Sequence, residues 1–151
     1  MDSNLLNRAM LRLDPRGTGN VSVNSILTQF RRLKFKISRT AVEDGVWSID
    51  SDGNGYLSHA DIENTIEQAK TDRTAPTKII NLVEFLGYEE DGYITLDQCI
   101  LLLASRFGKL LTQADIHNLW FDTSSGLSDM NELVSYAEFL RQLELTSLII
   151  S

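Results

Sequence analysis

The stretch Asp50-Ser51-Asp52-Gly53-Asn54-Gly55-Tyr56-Leu57-Ser58-His59-Ala60-Asp61 places oxygen-bearing side chains at its positions 1, 3, 5, 9 and 12, with glycine at position 6. Hard oxygen donors at this spacing suit a hard divalent cation, calcium above all. Asp50, Asp52 and Asn54 offer short side chains that can converge on one point. Gly55 allows the sharp turn with positive φ, after which Tyr56 contributes its backbone carbonyl. Ser58 and Asp61 complete the set, so the candidate ligands are Asp50, Asp52, Asn54, Tyr56, Ser58 and Asp61.

Asp61 departs from the usual form of such a loop, where position 12 is glutamate. Aspartate is one methylene shorter and gives two oxygens to calcium only if the loop contracts. One oxygen from this position suits six-coordinate magnesium. The expectation is therefore a single site of weakened calcium affinity that magnesium fills at rest.

Such a loop needs a helix on each side, and the chain supplies that arrangement as a repeat. A residue, an aliphatic and then Ser or Thr recur as Asn20-Val21-Ser22, Tyr56-Leu57-Ser58, Tyr93-Ile94-Thr95 and Leu133-Val134-Ser135. Spacings of roughly 36 to 40 residues fit helix-loop-helix units. Apolar residues at helical spacing flank each loop. Met10 and Leu13, Val46 and Ile49, and Val83 and Leu86 precede the first three. Ile26 and Phe30, Ile62 and Ile66, Cys99 and Leu103, and Phe139 and Leu143 follow the four. The aliphatic at position 8, Leu57 in the second loop, is expected to face a partner loop across a short two-stranded ladder.

With these motifs the chain resembles the EF-hand proteins of the calmodulin superfamily, which includes troponin C, myosin light chains and centrins. The likeness runs over nearly all 151 residues. It implies an all-α fold of two lobes, each a pair of EF-hands joined by a short β ladder. The lobes would be residues 1–70 and 77–151, separated by 71–76, where Pro76 is placed to start the next helix. One hand cannot cover its own apolar face, so hands that no longer bind metal persist as packing partners.

Three hands depart from the ligand pattern. In the first, Asp14 is followed by Arg16, Thr18, Asn20, Ser22 and Ser25, so a cation faces the site and position 12 lacks a carboxylate. In the third, Gly87 stands at position 1 and Gln98 at position 12, with Glu89 and Asp91 between them. In the fourth, Val134 and Glu138 align at positions 8 and 12, but counting back puts Leu127 at position 1 and Glu132 in the glycine place. A start at Asp122 instead lengthens that loop through the polar run 122–126. None of the three is expected to hold calcium.

Composition narrows the function classes. A hydrophobic content of 42% with 23% charged residues supports a packed core. A net charge of -7 argues against general nucleic-acid binding and for basic or amphipathic partners. The single cysteine, Cys99, lies at an apolar helical position and reads as a small buried hydrophobe in a reducing compartment. The first residues show no signal sequence and no myristoylation glycine, and no run is long enough to span a bilayer. A cytoplasmic, cytoskeleton-associated placement without a direct membrane anchor is the expectation. The apolar tail from Leu145 to Ile150 is expected to pack on its own lobe. Arg31 to Arg39 concentrates positive charge, as either a solvated helix face or a contact for an acidic partner. Trp47 and Trp120 precede the second and fourth loops and read as core or groove-lining residues; Trp47 should also report metal binding nearby. His59 and His117 have no zinc spacing with Cys99 and are assigned no chemistry.

Nucleophile elbow, Walker loop, dinucleotide glycine pattern and HExxH helix are all lacking. The sequence therefore points to a noncatalytic, light-chain-like or adaptor protein, a monomer in a hetero-complex, holding an amphipathic helix of a larger cytoskeletal or motor partner. The alternative is a calcium sensor whose N-terminal lobe opens to regulate a target.

Overall fold

The computed structural model describes residues 3–72, 74–108 and 132–150. The chain is mostly helical, with seven helices and two small two-stranded sheets among those residues. In order they are α1 (Ser3–Leu13), β1 (Asn20–Val21), α2 (Val23–Arg32), α3 (Arg39–Ile49), β2 (Leu57–Ser58), α4 (His59–Ala69), α5 (Lys78–Tyr88), β3 (Tyr93–Thr95), α6 (Leu96–Phe107), β4 (Leu133–Ser135) and α7 (Tyr136–Ile150). No helix among the described residues is long and apolar enough to cross a membrane.

Serine and threonine set where several helices begin. Ser22, Ser38, Ser58 and Thr95 are N-caps whose side-chain oxygens accept the N–H three residues on. Ser58 with Asp61 and Thr95 with Gln98 close full capping boxes. Ser22, Ser58 and Thr95 each follow directly on a buried aliphatic, Val21, Leu57 or Ile94, so in these three one short segment carries a strand into a helix. The helix α2 ends in a Schellman motif, with the Phe35 N–H bonded to the Phe30 carbonyl at 2.9 Å and the Lys34 N–H to the Arg31 carbonyl at 3.0 Å. Lys34 takes the left-handed conformation, φ 60°, and Phe35 packs back on Phe30 with ring centroids 5.4 Å apart.

Two compact units divide the chain, Met1–Tyr88 and Glu89–Ser151. In the first, β1 and β2 pair antiparallel with Val21 opposite Leu57, and both side chains are fully buried. Around them lie Leu13, Ile26, Phe30, Val42, Val46 and Ile62, all essentially inaccessible to solvent. The segment 71–76, expected to separate two lobes, lies inside this unit. Asp72 closes a turn there, accepting the Thr74 N–H at 2.9 Å and the Thr74 hydroxyl at 2.6 Å. Two residues after Pro76 the chain enters α5, which packs extensively along α1 and also touches α3 and α4. Ile79, Ile80, Leu82, Val83, Phe85 and Leu86 are all buried, so α5 is apolar around most of its circumference, as a helix enclosed by others must be.

In the second unit β3 and β4 pair antiparallel, with Ile94 opposite Val134. Cys99, Leu103, Phe139 and Leu143 are buried on the helices that follow, and Tyr136 stacks near Phe139 at 6.3 Å. Burial pushes the Cys99 thiol up to about 12, assisted by the negative charge of Glu138. The thiol therefore packs as a small neutral group. The tail reaches Ile150 as part of α7, turning Thr146 inward while Leu145 and Leu148 lie at the surface.

Candidate metal centre

The second loop is arranged around Asp50. Its Oδ1 accepts the N–H groups of Asp52 and Gly53, both at 3.1 Å, and its Oδ2 accepts the Gly55 N–H at 2.8 Å. Gly55 holds φ 81°, a left-handed value that would strain a residue with a Cβ. Asn54 turns its Oδ1 back to the Tyr56 N–H at 3.0 Å. Asp50 is half-buried, while Asp52, Asn54 and the ring of Tyr56 are exposed.

Asp61 sits at the other end of the loop, in the first turn of α4, and is 7% exposed. Its Oδ1 accepts the Ser51 hydroxyl at 2.6 Å, and its Oδ2 accepts the Ser58 N–H at 3.2 Å. Burial alone would raise its pKa, but these hydrogen bonds outweigh burial and hold the carboxyl below its ordinary value of 3.8. The six sequence-predicted ligands thus lie on one loop, with their oxygens directed largely to the loop's own donors. Among the described residues, no three His, Cys, Asp or Glu side chains converge as a ready-made metal-binding group. The donors are nonetheless all hard oxygens, the kind that calcium and magnesium take.

The first loop repeats the backbone solution, with its position-1 carboxylate engaged by protein donors. Asp14, at position 1, accepts the Thr18 N–H at 2.9 Å, the Thr18 hydroxyl at 2.9 Å and the Gly19 N–H at 2.8 Å. His59 Nε2 reaches the same carboxylate at 3.3 Å from the second loop. The Thr18 N–H is the largest influence, and with the other donors it overcomes burial and keeps Asp14 below the ordinary carboxylate value. Sequence spacing did not connect His59 to Asp14, because 45 residues separate them and only the β1–β2 register brings their loops together.

The third loop takes a different turn. Asp91 and Gly92 both have positive φ, 54° and 94°, between Glu90 and Tyr93, which exchange hydrogen bonds at 2.9 and 3.0 Å. That is a tight hairpin turn with both central residues left-handed. Gly87, at position 1, is still inside α5, and the Gly92 N–H is accepted by Glu89 at 2.8 Å. Glu89, fully buried, thus takes the role that Asp50 and Asp14 fill in the first two loops.

Trp47 is 63% exposed on α3, one turn before Asp50, and is not a core residue. Its helix turns Val42, Val46 and Ile49 inward, which leaves position 47 on the outer face. Trp120, His117, Asp122 and Leu127, with the start of the fourth loop, lie outside the described residues. No protein-family model matches the chain, and no curated protein matches it.

Proposed function

We propose that this chain is a noncatalytic, two-lobed EF-hand protein that binds an amphipathic helix of a larger cytoskeletal or motor partner in the cytoplasm. It carries one divalent site, at Asp50, Asp52, Asn54, Tyr56, Ser58 and Asp61. The observation that carries this reading is the contrast among the loops. Only the second combines oxygen donors at all the ligand positions with carboxylates at both ends. The first and third satisfy their turns with Thr18, His59 and Glu89.

A bound calcium or magnesium ion would neutralise the loop carboxylates and tie α3 to α4. The short Asp61 side chain favours magnesium at rest. The position of α5 supports an adaptor role, since α1 and α2 flank the first loop and α3 and α4 the second. One helix of this chain already lies on helices of both. A target helix then falls to the C-terminal hands, which no competent metal site gates.

A calcium sensor is the second reading, and one observation favours it. Asp61 is bonded to Ser51 in the loop and to the Ser58 N–H at the cap of α4, so a cation drawing on this carboxylate acts on the start of that helix. Calorimetric calcium titration with and without about 1 mM magnesium separates the two. The Trp120→Phe variant leaves Trp47 as the optical reporter. An adaptor gives one weak calcium site that magnesium suppresses, with little change in emission. One micromolar site that persists in magnesium, with a large emission change, supports the sensor instead.

A further inference from the structure

Charge is segregated along this acidic chain. Residues 15–42 contain Arg16, Arg31, Arg32, Lys34, Lys36 and Arg39 and no Asp or Glu, so all 21 carboxylates lie elsewhere. Two of these cations are engaged by their own chain: Arg32 with Gln29 at 2.9 Å, and Arg39 with Asn24 at 2.8 Å and Glu43 at 3.7 Å. Arg31, Lys34 and Lys36 are exposed and have no ion-pair partner among the described residues.

These three rim a hollow of about 620 Å³ completed by Phe35, Ile37 and Ser38. Phe35 and Ile37 are half-buried and give it an apolar floor. The turn is set before any ligand arrives, because the Schellman hydrogen bonds and the Phe30–Phe35 stack fix its backbone. Lys34 holds a left-handed conformation that glycine would adopt more easily, and residues kept in such conformations gather at functional sites.

We propose that this corner is a docking surface for an acidic peptide segment, its carboxylates meeting Arg31, Lys34 and Lys36 and an apolar side chain resting on Phe35 and Ile37. It is separate from the cation site and from the helix-binding role argued above. Charge complementarity chooses the occupant. A long polyanion such as nucleic acid would meet repulsion from the acidic remainder of the chain, which a short peptide avoids. A membrane is disfavoured because none of the large exposed apolar side chains lies in this segment and Phe35 is held against Phe30.

Fluorescence anisotropy with a labelled peptide alternating Glu and Leu tests the proposal, with the full chain in EDTA and at salt rising from about 50 to about 200 mM. Binding should weaken with salt, and Lys34→Glu with Lys36→Glu should lower affinity at least about tenfold. Far-ultraviolet circular dichroism should show unchanged helix content in that variant, since neither side chain has an ion-pair partner among the described residues. Equal binding by both proteins, or no binding at low salt, would overturn the proposal. So would preference for phosphatidylserine vesicles over the peptide. Dimerisation of the free chain through this corner would overturn it in favour of a second copy as occupant.

Discussion

The Asp61 carboxylate accepts one hydroxyl and one backbone N–H, and a cation at the loop needs at least one of those oxygens. Ser51 is the more dispensable donor, because the Ser58 N–H belongs to the cap of α4. We expect Ser51→Ala to tighten divalent binding severalfold, and Asp61→Glu to raise calcium affinity by about tenfold relative to magnesium by supplying two oxygens. Competition calorimetry checks both. Asp50→Ala should abolish binding altogether. Asp14 makes a prediction in pH. Its folded-state pKa lies below the ordinary 3.8, so the fold favours the carboxylate. The stability it contributes is fully present above the unfolded value and is lost as pH falls through the folded one. Urea unfolding midpoints should decline below about pH 4, and Asp14→Asn should flatten that decline. The turn of the Asp50 loop was legible because its candidate ligands and its glycine lie within one stretch of twelve residues. The His59 contact and the exchange of Glu89 for a position-1 carboxylate were not, since they depend on the pairing of distant loops and on where α5 ends.

At the scale of elements, two places show how local chemistry and packing share control. The end of α2 keeps Lys34 at φ 60°, where an L-residue with a Cβ costs about 1 to 2 kcal/mol relative to its right-handed state. Lys34→Gly should therefore raise stability by about 1 kcal/mol in chemical denaturation. The same change should weaken the acidic peptide, so a gain in stability accompanied by a loss of binding is the expected pattern. The second place is the contact between α3 and α5. A Cβ built on Gly45 would lie 3.0 Å from Ile79 Cδ1. Gly45→Val should loosen α5 and cost about 1 to 3 kcal/mol through overpacking, read as a lower urea midpoint. Helix positions followed from apolar periodicity, and the aliphatics facing across each ladder from the repeat. The partner of α5 did not, because a run apolar on nearly every face says that a helix is enclosed without saying by what. Thr71 to Pro76 reads locally as a break whichever neighbour the next helix chooses.

For the whole molecule, the central claim is that one cation stabilises the second loop without releasing α5 from the helices around it. The same unit carries the basic corner, so the proposed ion and the proposed acidic segment draw on different residues from those that hold α5. Amide hydrogen exchange on the full chain, compared in EDTA and in saturating calcium, tests the claim most directly because it resolves loop and helix together. Calcium should slow exchange within residues 50–61 while the amides of α5, residues 78–88, keep the protection they have without it. Faster exchange across α5 on adding calcium would contradict the adaptor role and mark an opening sensor, and an unchanged 50–61 segment would contradict the metal site itself.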